Sequence, residues 1–164
     1  MENINKIFSM KFKKYSIFIV SAFFLVIIGL FLTSQNIFLR KTTGDDIKYV
    51  KIAGQIVKVD LALTKKDQEK GLSGRENIKE NEGMLFIFSK PQRNYFWMKD
   101  MNFPIDMIWI NDDLKVIYIK KGAQPSSYPN SFGPGVDNRY VLEVFDGFSE
   151  KNNLEVGNRV EFLR

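Results

Sequence analysis

The sequence predicts a small α+β domain, a mainly antiparallel β barrel or half-barrel with two short helices, preceded by one N-terminal transmembrane helix. Three observations support this: an uncharged apolar run at residues 15–32, apolar–polar alternation from Tyr49 onward, and turn residues at short intervals. With 164 residues, the chain has room for one ordinary domain and an appendage.

The apolar run, residues 15–32, is long enough to cross a bilayer. A helix of these 18 residues rises about 27 Å, close to the roughly 30 Å of a hydrocarbon core. A cleavable signal peptide is the alternative, but its apolar core spans only about 7–15 residues. In addition, Leu32 lies where cleavage needs a small residue, so the sequence favours an uncleaved anchor in contact with the lipid bilayer.

The charges around the run predict its orientation. Four lysines precede it in residues 1–14, and the positive-inside rule therefore leaves this segment in the cytoplasm. Residues 33–46 then form a polar linker, and residues 47–164 form a domain outside the membrane, periplasmic or extracellular. Either alternative, anchor or cleaved signal, exports the domain.

Composition excludes several classes of function. Six of the 24 basic and one of the 19 acidic residues lie in residues 1–44, which leaves 18 of each sign and no net charge afterwards. Nucleic acid is therefore the least expected partner. The chain has no Cys and no His, so it offers no disulfide, no thiolate nucleophile, no histidine base and no Cys or His ligand for zinc. We expect no metal site and no cofactor.

The elements of the domain follow from local patterns. Alternation predicts a strand at residues 56–63, and Thr64 then begins a short helix that ends at Gly71. Further strands are predicted at residues 84–88, 94–98, 105–110, 114–120, 140–145 and 159–162, with a hairpin loop at 111–113 and a second short helix in 146–153. Residues 122–135, rich in Gly, Pro and Ser, are predicted to form one long, functional or mobile loop.

Three charged residues lie inside strands that are apolar on both faces, namely Lys99, Asp106 and Glu143. Because buried charges must pair or become neutral, we expect them to converge with Arg75 at a polar pocket lined by Trp97. The alternatives are an internal ion-pair network and charges at strand ends that face water. The second tryptophan, Trp109, is expected in the core.

Three stretches together resemble the uncharacterised family called domain of unknown function 192: GLSGRENIKENEGMLFIF, FWMKDMNFPIDMIWI and RYVLEVFDG. The resemblance covers roughly residues 55–162. It implies a compact, barrel-like β fold in proteins that often carry a signal or anchor segment, and it implies no established activity. The family's recurrent positions fall on Arg75, Glu82, Trp97, Lys99, Asp106, Tyr140 and Glu143. Relatives often read FWMKNT, so Asp100 and Met101 depart from the pattern.

Three functions compete. The first is a tethered binding module in which Arg75, Trp97, Lys99, Asp106, Tyr140 and Glu143 hold a small polar ligand, a sugar or a carboxylate-bearing molecule. The second is a hydrolase of envelope glycans that uses Asp106 and Glu143; a cation such as Lys99 between them would keep both ionised, which disfavours an acid role and hence an enzyme. The third is a structural or assembly partner in the envelope that docks through an apolar patch.

Overall fold

The computed structural model describes residue 23, residues 25–28 and residues 46–164. Residues 23 and 25–28 are helical and belong to the predicted transmembrane run. The rest of that run, residues 1–14 and the predicted linker up to residue 45 lie outside the described residues. Within the described part of the chain, no helix is long and apolar enough to cross a membrane. The anchor therefore stays a prediction.

Residues 46–164, as the structure describes them, contain nine strands and two short α-helices. They are β1 (Tyr49–Ile52), β2 (Gln55–Ala62), α1 (Lys65–Lys70), β3 (Glu82–Gln92), β4 (Phe96–Trp97), β5 (Ile105–Ile110), β6 (Val116–Ala123), β7 (Ser131–Phe132), β8 (Asn138–Phe145), α2 (Phe148–Lys151) and β9 (Val160–Leu163). The predicted strands, both helices and the hairpin are present, with bounds that differ by a few residues.

Seven strands form one sheet in the order β6-β5-β8-β3-β2-β1-β9, and β4 pairs with β7 in a separate ribbon. The pairs are antiparallel except β2 with β3, which is parallel. At one end the two edge strands meet: Val116 N donates to Asn158 O at 3.0 Å, and Gly157 N donates to Val116 O at 2.8 Å. The sheet is therefore curled into a half-barrel, which confirms the mainly β, barrel-like prediction.

The curled sheet has two covered faces. On the inner face, which contains Leu85 and Leu142, apolar side chains from all seven strands form one core cluster. On the outer face, which contains Met84 and Glu143, a second cluster forms beneath the segments around α1 and β4. Because both faces are covered, all six residues of β5 are buried, and among them Trp109 is in the core as predicted.

Two predictions about the β4 and β7 region need correction. The strand expected at residues 94–98 is reduced to the two residues of β4, because β4 pairs only with the equally short β7. The long loop expected at residues 122–135 is largely structured. It begins in the last residues of β6 and contains a 3-10 turn at Pro125–Ser127 as well as β7.

Helix α1 begins and ends as predicted, and its own contacts hold it in place. Thr64 Oγ1 accepts a hydrogen bond from Asp67 N at 3.2 Å, and Gly71 N donates to Asp67 O at 2.8 Å. The helix has no buried residue, but Gln68 Nε2 donates to Ala62 O at 3.2 Å and to Ile87 O at 2.9 Å. These two bonds fasten α1 to β2 and β3 on the outer face of the sheet.

Candidate functional site

A cavity of about 550 Å³ lies on the outer face of the sheet. Its walls come from α1 and the segment after it, from β3, and from residues 94–97. Small-molecule sites in proteins usually occupy about 300–1,000 Å³, so the cavity has a suitable size.

Glu143 is the buried acid of this cavity. It lies between Met84 of β3 and Met107 of β5, and only 4% of its surface is exposed. Its Oε2 has no hydrogen-bond partner among the residues that the structure describes. Burial raises the pKa of the carboxyl from 4.5 to about 8, and the nearby Arg75 guanidinium offsets only part of this rise. Glu143 is therefore mainly a neutral carboxylic acid at pH 7.

Gly71 lies directly beside this acid, where a side chain would have little room. A Cβ at this position would lie 3.3 Å from the Phe86 ring and 3.7 Å from Glu143 Oε2. The residue also ends α1 with φ +49°, a conformation that side chains other than glycine rarely adopt. The same glycine thus ends the helix and lets its backbone pass close to the Phe86 ring and the Glu143 carboxyl.

Aromatic rings and uncharged polar groups form most of the remaining wall. Phe86 and Phe88 of β3 lie beside Phe96, whose ring meets theirs edge to face at centroid distances of 4.7 and 6.4 Å. Trp97 lines the cavity but keeps 54% of its surface exposed. The uncharged polar side chains of the lining are Gln68, Ser73, Ser89, Gln92 and Asn94.

Arg75 and Lys99 lie near this cavity but not in its lining. Arg75 Nη2 forms an ion pair with Asp60 Oδ2 at 2.8 Å and lines a neighbouring cavity of about 450 Å³. The Lys99 side chain is exposed, and its backbone oxygen accepts a hydrogen bond from Ser73 Oγ at 2.8 Å. Lys99 therefore helps to hold the segment after α1 through its main chain, whereas its charge faces solvent.

Asp106 is fully buried on the inner face, away from the cavity. Its Oδ1 accepts hydrogen bonds from Gly122 N at 2.9 Å and Gly147 N at 3.4 Å, and its Oδ2 accepts one from Ser149 N at 2.8 Å. Three backbone amides thus replace the charged partners that the sequence predicted for this carboxylate.

The register of β5 and β8 separates the two acids of the hydrolase alternative. Asp106 lies opposite Val144, whereas Glu143 lies opposite Met107, so the two carboxyls point to opposite faces of the sheet. The expected convergence of Asp106 and Glu143 is therefore wrong, and this pair cannot act together on one glycosidic bond.

Tyr140 directly precedes Val141 in β8, and Val141 shares the outer face with Glu143. Because neighbouring side chains of a strand point to opposite faces, Tyr140 lies on the inner face. Its ring meets that of Phe162 at a centroid distance of 5.0 Å. Burial raises the pKa of the Tyr140 phenol, and the charge of Arg139 lowers it in part. The structure therefore brings Trp97 and Glu143 to one cavity, keeps Arg75 beside it, and holds Asp106 and Tyr140 elsewhere.

Several lining residues were missed from the sequence. Phe86 and Phe88 alternate with buried core residues of β3, and this strand period places them on the same face as Glu143. Tyr95 also lines the cavity, although it precedes the two residues of β4. No sequence pattern predicts Gln68 in the lining, because its position depends on how α1 folds back onto β2 and β3.

Comparison with known families adds to this geometry. The family model of domain of unknown function 192 (DUF192), described as "Uncharacterized ACR", matches residues 48–162. The chain belongs to this family. The match confirms the resemblance seen in the sequence, and it covers every residue that lines the cavity beside Glu143.

Two crystal structures are similar to this DUF192 chain. A protein of unknown function from Novosphingobium aromaticivorans matches with a TM-score of 0.67 and 28% identity, over 70% of this chain and 84% of that one. A candidate transcription regulator from Sinorhizobium meliloti matches with a TM-score of 0.66 and 28% identity, over 70% of this chain and 92% of that one. No curated protein matches the chain.

Proposed function

We propose that the DUF192 domain binds a small uncharged polar ligand, a sugar, in the cavity beside Glu143 and Trp97. The observation that carries this proposal is the neutral, unpaired carboxyl of Glu143 in an aromatic cavity. A protonated carboxyl both donates and accepts hydrogen bonds, as does a sugar hydroxyl. Leaving such a group unpaired costs about 1–3 kcal/mol, so a ligand hydroxyl that pairs with it would gain affinity.

The rest of the wall also suits a sugar. A sugar ring has apolar C–H faces and a polar edge, so it needs flat apolar surfaces together with uncharged donors and acceptors. Phe88, Phe96 and Trp97 offer the first, and the side chains of Ser89 and Gln92 offer the second. The charged residues of the lining other than Glu143 belong to α1 and alternate in sign, with Lys65 Nζ 3.8 Å from Glu69 Oε1. This mixture favours an uncharged ligand over a carboxylate-bearing one.

The test is calorimetric titration of the full-length chain, purified in a detergent without a sugar headgroup. The probes are glucose and N-acetylglucosamine. We expect the wild type to bind at least one of them and Trp97→Ala to weaken that binding at least tenfold, because it removes a flat wall of the cavity. Tyr49→Ala, which removes an exposed aromatic ring of β1 outside the cavity lining, should bind as the wild type does.

Absence of binding by both sugars, or equal affinity of the wild type and Trp97→Ala, would contradict the proposal. If neither sugar binds, the exposed Trp97 becomes a candidate contact for a protein partner in the envelope. Binding can be compared between variants only if both unfold at similar temperatures, so melting curves accompany each titration.

We further propose that the domain acts outside the cell membrane, tethered through residues 15–32. The support is the length of this apolar run and the basic residues before it. The similar structure from Sinorhizobium meliloti is described as a candidate transcription regulator. The charge of this chain disfavours a nucleic-acid partner, because residues 45–164 hold 18 basic and 18 acidic side chains and therefore no excess positive charge.

A further inference from the structure

Three aromatic side chains at the mouth of the cavity are unusually exposed. Tyr95, Trp97 and Tyr128 expose 55%, 54% and 47% of their surfaces. Tyr95 and Trp97 line the cavity, whereas Tyr128 follows the 3-10 turn Pro125–Ser127 and is not part of the lining. The Tyr128 ring meets that of Trp97 at a centroid distance of 6.2 Å and an interplanar angle of 78°. These three residues, here called the aromatic strip, lead from the cavity onto the protein surface.

The aromatic strip is held by the backbone beneath it. β4 pairs with β7, which places Trp97 opposite Ser131. A Cβ on Gly133 would lie only 2.8 Å from Cδ1 of Tyr95, so the tyrosine ring packs directly against this glycine. Aromatic side chains that are already held in place lose little conformational freedom on binding, which makes them efficient contact surfaces.

The cavity is larger than one sugar unit requires. Liquid water occupies about 30 Å³ per molecule, so a volume of about 550 Å³ holds roughly 18 water molecules. A hexose has only about 12 non-hydrogen atoms, which pack more closely than water because they are bonded to one another. Tyr95 and Trp97 border the remaining space of the cavity, and the Trp97 ring contacts that of Tyr128. A ligand that fills the cavity can therefore extend along the aromatic strip.

We propose that the ligand is a linear chain of sugar units, with one unit in the cavity beside Glu143 and the next across Trp97 and Tyr128. The inference rests on the proposed sugar-binding function. Each unit of such a chain has an apolar face that can lie on a ring and hydroxyl groups that can reach the tyrosine oxygens. Trp97 contributes to both positions, because it lines the cavity and touches Tyr128.

The experiment compares chain lengths on the full-length protein in the same sugar-free detergent. The probes are glucose, N-acetylglucosamine, and the β-1,4-linked di-, tri- and tetrasaccharides of each. We expect affinity to rise at least tenfold from the monosaccharide to the trisaccharide of one series and then to level off. Tyr128→Ala should remove this rise and keep the monosaccharide affinity, whereas Tyr128→Phe and Tyr49→Ala should keep both.

The outcomes separate this inference from the proposed function. Equal affinity for all lengths, or a full rise in Tyr128→Ala, would overturn the inference and leave the monosaccharide site intact. A complete lack of binding in both series would overturn the proposed function and the inference together. Binding that begins only at the disaccharide would contradict the monosaccharide site of the proposed function, and with it the inference that rests on that site.

Discussion

Glu143 is a buried acid, and its Oε2 has no hydrogen-bond partner among the described residues. Ionisation of this carboxyl should therefore lower the stability of the domain at high pH. Its pKa is raised from 4.5 to about 8. Between these values the unfolded chain releases the proton and the native state keeps it. The native state then binds more protons, so the free energy of unfolding falls as pH rises. Above pH 8 both states are ionised and the loss stays constant.

We therefore expect Glu143→Gln to remove this pH dependence. At about 1.4 kcal/mol per pKa unit, the raised pKa lowers the free energy of unfolding of the wild type by an amount on the order of 3–5 kcal/mol above pH 8. The measured quantity is the free energy of unfolding of the variant minus that of the wild type. This difference should be higher at pH 8.5 than at pH 4 by an amount of that order. Urea unfolding followed by tryptophan fluorescence measures it, because both tryptophans of the chain, Trp97 and Trp109, lie in the domain.

The control for Glu143→Gln is Glu155→Gln, which changes an exposed acid. Its urea midpoint should follow the wild type at both pH values. A Glu143→Gln variant whose stability changes with pH in parallel with the wild type would show that the native carboxyl titrates normally, and the neutral-acid basis of the proposed site would then be wrong.

At the level of the elements, Asp106 joins parts of the fold that are distant in sequence. Its carboxylate on β5 accepts hydrogen bonds from an amide near the end of β6 and from two amides at the start of α2. An asparagine would keep one acceptor and turn an NH₂ group toward amide donors. Because hydrogen bonds to charged groups contribute about 1.5–3 kcal/mol, we expect Asp106→Asn to lower the free energy of unfolding by about 2–4 kcal/mol.

Urea unfolding of Asp106→Asn measures this loss, and Asp112→Asn is the matched control. Asp112 forms a surface ion pair with Arg139 at 3.3 Å, so its replacement should cost less than about 1 kcal/mol. Hydrogen exchange provides a second measurement: the amides of Gly122 and Ser149 should lose protection together in Asp106→Asn. Equal urea midpoints for the two variants would mean that the buried carboxylate does not join these elements.

The elements were largely predictable, and the arrangement of the site was only partly so. Strand alternation, the Thr64 cap and the hairpin turn are local, and the structure agrees with them. The same alternation assigns a residue to one of two faces without saying what covers that face. Asp106 and Glu143 therefore looked alike in sequence, although one meets three amides and the other an aromatic cavity. Lys99 looked buried because the predicted strand was longer than β4 proves to be.

At the scale of the whole molecule, the charge distribution is the strongest feature of the chain. The net charge of +5 lies entirely in residues 1–44, and the remaining residues are balanced. We expect the full-length chain to stay in the membrane pellet after alkaline carbonate extraction. Protease added outside intact spheroplasts should digest the DUF192 domain and leave a tag at the N-terminus protected, because the positive-inside rule keeps that end in the cytoplasm.

The matched control replaces Phe23 and Phe24 by arginine. Each arginine at the centre of an apolar helix costs about 2.5–3.5 kcal/mol on insertion, so this double variant should appear in the carbonate supernatant. The mass of the recovered wild-type chain distinguishes an anchor from a cleaved signal. An anchored protein keeps residues 1–44, whereas a chain shortened after the apolar run would be released from the membrane. A domain that resists external protease and is digested only after lysis would place it inside the cell, away from envelope glycans.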